Sequence, residues 1–593
     1  MAVTATPAMA AASPARRRLG ASQEPLRADC EIQTKVHWSV CPHRALCTAH
    51  LLHQERLPIA ILELRRGETR QEFAVSISHE ARVRFSAFLR MADGRACAAI
   101  KELVGMPEAT RLDQPADWSG HWWLPGALGN AVPGILRYNP QDGLRLSLIG
   151  GFDPFILHQV SEEQATAMAN EYERWPVILG IADNIEITLL DCIPLTTTSY
   201  LPGLAAPSKQ VLAATTALIG VHLPDEGEAV FTSSLVSVEN LTQWSNSSIL
   251  TSSSEGKGGR IDRVTLSMTP IAEPTVTVDD TAVTLVHAHT LPGIERSRGE
   301  IVRRMRDTAF VELRPQRRMT LTTAREFAET IQDLVSLATY QACALLELVL
   351  GVPPRPDDHL DDYPVRDREV KVYFRGTFTG DAEAKAINRS EALFTCRDIA
   401  FEEIVPRWWR LRKTCLPASN MVLGLSYAPA QYLEGNLLSA VGAAEVLHRC
   451  LGIGQRRIPA KAFNVMRETL LENTPEEHRQ WIKSAIRNEP TLRDRLITLA
   501  GLPDSKAMQE LVPDVDCWAR ITSRARNDLV HEGQTPRQSP DELVAATRVT
   551  TAVVMMNLLQ ALELPHERQQ QAVFDNPRLH NAARLASKYL TED

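Results

Sequence analysis

The sequence predicts an α+β multidomain protein, with a β-rich front followed by an all-α helical bundle. Three observations predict this. From about residue 30 to 320 the apolar runs are short, rich in Val and Thr, and bounded by turn residues, which is the pattern of strands. Near Thr320 the apolar period lengthens to that of helices, and Pro or Gly separates one helical segment from the next down to the C-terminal end. With 593 residues the chain also exceeds what one core accommodates, so two or three domains are expected. The predicted division is a disordered tail (1–28), a β-rich domain (30–320), a connecting helix and linker (321–390), an all-α domain (391–565) and a C-terminal helical tail (566–593).

Composition narrows the function classes. The 44% hydrophobic and 23% charged fractions are ordinary for a soluble protein. A net charge of −8 provides no global field toward nucleic acid or membrane, so any nucleic-acid site must be a local basic patch. The ten cysteines are scattered, without the density of a disulfide scaffold, and predict reduced thiols in a cytoplasmic protein. The N-terminal stretch MAVTATPAMAAASPARRRLGAS has its apolar and basic parts in the reverse order for a signal peptide. It weakly resembles a transit peptide, and a disordered tail is the preferred reading. The longest apolar run, Leu334 to Val352, contains Gln341 and Glu347, which favours a buried helix over a membrane span.

In the front half, Ile135 to Tyr138 passes through Asn-Pro-Gln-Asp-Gly into the alternating run Leu144 to Leu148, a hairpin signature. Ile185 to Leu190 and Pro274 to Val286 read as further strands, and one helix is predicted from Ser161 to about Arg174. Ser252 to Gly259 reads as a flexible loop. It lacks the spacing and the closing Lys-Ser/Thr of a phosphate loop. An amphipathic helix is expected from Leu321 to about Leu350, then a Pro/Asp-rich linker over Pro353 to Pro364 and a strand at Val370 to Phe374. Helices follow near 391–413, 429–451, 459–472, 475–488, 490–501, 513–532 and 540–563, with no internal repeat.

The stretch with most chemical content is Arg520 to Gly533, RITSRARNDLVHEG. Steps of three and four residues keep Arg520, Arg524, Asn527 and His531 on one helical face. Trp518, Ile521, Ala525 and Leu529 follow the same spacing about 135° away, as an apolar stripe that can pack inward. Gly533 is placed to end the helix, with His531 in its last turn. Taken alone, an Arg followed five places later by a His carries little information, because chance supplies about one such pair in a chain of this size. On spacing alone, a solvated face with a His near the helix dipole is the preferred reading. A second helix, Tyr432 to Arg449, places Glu434 and Glu445 among apolar residues.

In this setting the run Arg526-Asn-Asp-Leu-Val-His531 resembles the R-x-x-x-x-H motif of the HEPN superfamily, with a polar residue after the Arg. Ordered blocks in the front half resemble the N-terminal domain of the ApeA family of anti-phage proteins, in which that domain precedes a HEPN domain. They include Ser119-Gly-His-Trp-Trp-Leu-Pro-Gly126, Gly143 to Phe152, Ile187 to Cys192, Leu218 to Leu223 and Phe231 to Trp244. The resemblance covers about residues 115 to 565 and leaves the first 110 aside.

The resemblance implies a metal-independent endoribonuclease, without a cofactor, that acts on tRNA or another host RNA and halts growth on infection. The front domain would sense a phage component or restrain the nuclease. His531 has the side chain suited to proton transfer near neutrality. Arg526 would neutralise phosphoryl charge, Asn527 would orient the imidazole or the phosphate, and Arg524 and Arg520 would contact substrate. Five positions are about 140° apart on a regular helix, so Arg526 and His531 cannot both face one phosphate from mid-helix. A distorted last turn, or a homodimer that joins two motifs, would resolve this, and the resemblance favours the dimer. A HEPN module that binds nucleic acid or nucleotide without cutting it is the alternative. A sugar-binding or hydrolytic β-domain using Trp122 and Trp123 is a third reading, and no carboxylate pair there suits glycoside chemistry.

Other clusters have ordinary readings beside functional ones. His37, Cys41, His43, Cys47, His50 and His53 offer ligands for one zinc, but their spacing fits no familiar finger, and buried or incidental residues are the preferred reading. Trp118, Trp122 and Trp123 read as core before they read as a stacking platform. Arg303 to Arg318 reads as a solvated face before a phosphate patch. Arg407 to Lys413, with its interleaved tryptophans, is somewhat more suggestive of nucleic-acid contact.

Overall fold

In the computed structural model the described residues are 47–54, 57–66, 69–76, 111–152, 155–161, 164–169, 174–198, 209–290, 293–355, 367–378, 380, 385–428, 432–454 and 456–592. The chain divides into two compact units, Met1–Ser86 and Ala87–Asp593. In the first, β1 (Cys47–Gln54), β2 (Leu57–Arg66) and β3 (Thr69–Ser76) form an antiparallel three-stranded sheet. The expected tail over 1–28 lies outside the described residues. So does the candidate zinc cluster, apart from the backbone of Cys47, His50 and His53 on β1.

The second unit begins with β4 (Ala116–Trp123), β5 (Val132–Asn139) and β6 (Gly143–Ile149), then a separate hairpin of β7 (Phe155–Ser161) and β8 (Gln164–Ala169). It continues through β9 (Trp175–Ala182), β10 (Ile185–Thr198), β11 (Lys209–Ala214), β12 (Thr216–Ile219) and β13 (Ser233–Val238) to the short helix α1 (Leu241–Ser245). The hairpin β14 (Leu250–Lys257) and β15 (Arg260–Met268) follows, then β16 (Thr275–Val278) and β17 (Thr281–His289). A second hairpin, β18 (Gly293–Arg296) and β19 (Ile301–Arg304), leads to β20 (Asp307–Pro315), α2 (Leu321–Thr339), β21 (Leu345–Val352) and β22 (Arg368–Phe374).

Thirteen of these strands form one sheet in the order β11-β6-β5-β4-β9-β10-β12-β22-β21-β13-β20-β17-β16. β10 makes this sheet partly a barrel. Its first half pairs with β9 and β12, and beyond an irregularity between Pro194 and Thr196 its second half pairs with β11. Strands β6, β5, β4, β9, β10 and β11 thereby close on themselves, which removes two edges that would otherwise be open to aggregation. Trp122 is fully buried, and its Nε1 donates to Gly134 O at 3.2 Å. Gly180 leaves room for the indole, since a Cβ there would lie 2.3 Å from the Trp122 ring. Trp123 is also buried, so these two tryptophans are core and not a stacking platform.

Four local expectations are corrected. Among the described residues the helix expected from Ser161 to about Arg174 is absent, because 155–161 and 164–169 pair as β7–β8 despite helix-favouring Ala and Met, while 162–163 and 170–173 lie outside the described residues. Ser252 to Gly259 belongs to β14–β15, which turns at Gly258 and Gly259 (φ +62° and +82°). Nearly every side chain on that ribbon is exposed, and β14 itself, LTSSSEGK, has almost no apolar residue to mark a strand in the sequence. The helix from Leu321 stops at Thr339, where Tyr340 takes a left-handed conformation (φ 53°), and Leu345–Val352 forms a strand. A short apolar run buried on both faces does not distinguish helix from strand. The stretch expected to connect two domains therefore supplies β21 and β22 to the middle of the sheet. Residues 356–366 of the expected linker lie outside the described residues.

The helical part comprises α3 (Phe401–Tyr427), α4 (Leu433–Cys450), α5 (Ala460–Glu472), α6 (Glu476–Ala485), α7 (Leu492–Ala500) and α8 (Ser505–Leu511). After these come α9 (Val515–Glu532), α10 (Pro540–Ala561), α11 (His566–Asp575) and α12 (Pro577–Tyr589). The helix expected at 391–413 thus begins later and runs further, with a kink at Cys415 just before Pro417. α10 is the central element, started by a Ser539/Glu542 capping box with Pro540 in the first turn. Among the described residues it is the one helix long and apolar enough to cross a membrane, and 78% of that window is buried inside the protein.

Sheet and bundle share one continuous apolar core. Trp244 packs edge-on against Phe401 with ring centroids 6.3 Å apart, and buried Trp408 donates from Nε1 to Thr330 O at 2.9 Å. The basic run from Arg407 to Lys413 lies at this junction. Arg407 donates to Leu562 O at 3.1 Å and pairs with Glu403 and Glu563, Arg412 pairs with Asp333, and Lys413 with Asp279. These contacts make it mainly a structural clamp. In the other basic stretch Arg304 pairs with Glu295 and Arg314 with Glu312.

One buried group has a pH consequence. His448 on α4 is 1% exposed, and neither ring nitrogen has a hydrogen-bond partner among the described residues. Burial, reinforced by Arg495 and Arg449, pushes its pKa below the ordinary 6.5. The unfolded chain therefore takes up a proton that the folded chain resists, and stability falls as pH drops below about 6.5. Replacing His448 with Leu is expected to flatten the decline in melting temperature between pH 7.5 and 5.5. An unchanged slope in that variant would exclude His448 as its source.

Candidate nuclease site

The site is built on α9. Asp514 caps its start by accepting from Cys517 N at 2.9 Å, and Gly533 ends it in a left-handed conformation (φ 70°), its N–H bonded to Leu529 O at 3.1 Å. The inward stripe is as the spacing predicts: Trp518, Ile521, Ala525 and Leu529 are all buried. Trp518 donates from Nε1 to Thr550 Oγ1 on α10 at 3.3 Å, while Ala525 and Leu529 pack with Leu437 and Val441 of α4 and with Leu543 and Ala546 of α10.

The polar residues separate into two groups. Arg526 is held from both sides. Its Nη2 lies 3.2 Å from Glu445 Oε2 on α4, and its Nη1 donates to Asn527 Oδ1 at 3.2 Å. Glu445 is largely buried, whereas Glu434, the other acid singled out in that helix, is exposed. Asn527 thus contacts the guanidinium and not the imidazole. His531 is exposed in the last turn and makes no side-chain hydrogen bond among the described residues.

Arg520 and Arg524 lie elsewhere, on a cleft of about 290 Å³ that Arg537, Glu542, Tyr589 and Glu592 also line. Arg520 is 2.8 Å from Glu592 in the C-terminal segment. Arg537, three arginines with these two, escaped the sequence reading because it belongs to the loop after Gly533. Asp528, in the middle of the motif, was missed as well. It is 8% exposed, and its Oδ2 has no hydrogen-bond partner among the described residues. Only the packing of α9 reveals that this acid faces inward.

The structure therefore brings Arg526, Asn527 and Glu445 together, leaves His531 open in the last turn, and has Arg520 and Arg524 line a cleft beside the C-terminal segment. Among the described residues no group of three or more His, Cys, Asp or Glu is arranged to hold a metal ion.

Residues 117–408 match the family model ApeA N-terminal domain 1, and residues 438–568 match Apea-like HEPN. The chain belongs to the ApeA family. In this ApeA-family protein the HEPN match takes in α4, α9 and α10, and so contains both Arg526 and its partner Glu445. The N-terminal match covers the barrel, the remaining main-sheet strands and α2, and extends into α3. No curated protein and no solved structure matches the chain. It is a HEPN-domain protein of an anti-phage family, and HEPN domains are generally ribonucleases that bind RNA and often dimerise.

Proposed function

We propose that the protein is a defence endoribonuclease that cleaves RNA through the RNA's own 2′-hydroxyl, with His531 and Arg526 as the catalytic pair. The observation that carries this reading is the clamp on Arg526. Glu445 and Asn527 fix a cation within the helical turn that precedes an exposed imidazole. His531 takes the 2′-hydroxyl proton as the oxygen attacks phosphorus. Arg526 neutralises the charge that grows on the phosphoryl oxygens, and the products are a 2′,3′-cyclic phosphate and a 5′-hydroxyl. Asn527 positions Arg526. Arg520, Arg524 and Arg537 extend the cationic surface along which the strand would lie.

About 140° of helix separates the pair, so one motif supplies Arg526 to a site whose His531 comes from a second copy of the chain. Exposed Val465, Met466, Leu470 and Trp481 on α5 and α6 give the bundle an apolar surface suited to such association. The front domain would hold the nuclease silent until a phage component arrives, and cutting tRNA or another host RNA would then stop growth.

Purified protein incubated with total tRNA and rRNA in EDTA, with and without infected-cell extract, tests the reading. Cyclic-phosphate ends in EDTA are the expected result, with activity rising with dimer fraction. Intact RNA under both conditions would leave the binding-module alternative in its place.

A further inference from the structure

The β-rich part contains a second constellation that the nuclease reading does not use. Ser247 Oγ lies 3.0 Å from His287 Nε2, and His287 Nδ1 lies 2.8 Å from Asp307 Oδ1. The His287 and Asp307 side chains are 3% and 5% exposed, while Ser247 is partly exposed. Ser247 follows α1 and the left-handed Asn246 (φ 50°), His287 is on β17, and Asp307 begins β20. Asp307 is itself fixed, since its Oδ2 accepts from Ser248 Oγ at 2.7 Å and from Ile249 N at 3.1 Å.

We propose that Ser247, His287 and Asp307 form a nucleophilic triad that hydrolyses carboxylic esters with apolar acyl groups. The buried Asp307 carboxylate accepts a hydrogen bond from His287 Nδ1–H. That selects the tautomer whose Nε2 lone pair faces the Ser247 hydroxyl, the relation a serine nucleophile requires. As Oγ attacks the ester carbonyl carbon, its proton passes to Nε2, and Asp307 stabilises the resulting imidazolium. Collapse of the tetrahedral adduct breaks the ester C–O bond, and the leaving alcohol takes the proton from Nε2. Water, deprotonated by Nε2, then attacks the acyl-serine to release the acid and restore Ser247.

Two further observations favour chemistry over a mere staple. Ser248 N–H, the amide after the nucleophile, has no acceptor among the described residues, and this is a position from which such sites stabilise an oxyanion. The loop is also already tied down through Ser248 and Ile249, so the Ser247–His287 contact is not needed to hold it. The choice of ester rests on the neighbouring hairpins. β14–β15 starts three residues after Ser247, and β18–β19 lies in the chain between His287 and Asp307. Near their bases they carry exposed Leu266, paired with Ser252, and Ile294, paired with Arg303, apolar side chains able to cover an acyl chain. The sequence around the serine, Trp-Ser-Asn-Ser-Ser, has none of the glycines of a nucleophile elbow and gives no signal of its own.

The full chain treated with an alkyl fluorophosphonate and mapped by mass spectrometry tests this. A single adduct on Ser247 is expected, together with p-nitrophenyl ester hydrolysis that quickens from acetate to octanoate. Ser247→Ala takes the partner from the buried His287 Nε2 and so should lower the melting temperature modestly, while the folded variant loses the adduct and about 10⁴-fold of the hydrolysis. His287→Gln should leave Ser247 unlabelled, and His531→Ala should label normally. Absence of an adduct from folded wild type, or wild-type labelling of Ser247 in His287→Gln, would overturn the proposal.

Discussion

His531→Ala is expected to lower RNA cleavage by about 10²- to 10⁴-fold, the range that a positioned general base contributes. Melting temperature should stay within error of wild type. The imidazole is exposed and bonds to no described residue, so its removal leaves no buried group unsatisfied. RNA binding should also persist, because the arginines on and beside α9 are untouched. The informative quantity is the split between binding and turnover. A variant that binds and still cuts at the wild-type rate would remove His531 from the mechanism. Arg526→Ala is a poorer test, since it strands the largely buried Glu445 carboxylate and mixes lost catalysis with lost stability.

Trp122→Ala should have the largest effect on stability, about 3–5 kcal/mol from lost packing and the cavity left behind. The indole is fully buried within the closed part of the sheet, where Gly180 and Gly134 are adapted to it. A chemical-denaturation series including Trp122→Phe would locate the effect. Phe keeps most of the volume and loses only the bond to Gly134 O, so it should fall between wild type and Ala. If Trp122 served as an exposed stacking surface, Ala would cost little stability. A change under about 1 kcal/mol would therefore contradict the core assignment.

The sequence made the architecture legible where physical pattern and structure coincide. The turn at 139–143, the apolar stripe of α9 and its Gly533 stop each follow from local rules, and each is found. Legibility failed where burial is two-sided or absent. Leu345–Val352 has buried residues on both faces, and β14–β15 has almost none on either. In the candidate site, a helix period could place Arg526 and His531 on one element. It could not show that Glu445, 81 positions earlier, would meet the guanidinium. Nor could it show that Arg520 and Arg524 would face the C-terminal segment. The Ser247, His287 and Asp307 contacts were beyond reach for the same reason, being made by three elements with no shared motif.

The common core across sheet and bundle has a practical consequence. The N-terminal family match ends within α3, the helix whose Phe401 and Trp408 are lodged against Trp244 and Thr330. The two family segments are thus evolutionary modules without being separable bodies. A fragment cut between them would lay bare the apolar surface of each half. Toxicity lost on such truncation would report a ruined fold, not a missing sensor. Under the proposed function, control of RNA cleavage would have to act through deformation of a shared interior or through assembly, because release of a tethered domain would require tearing that interior open.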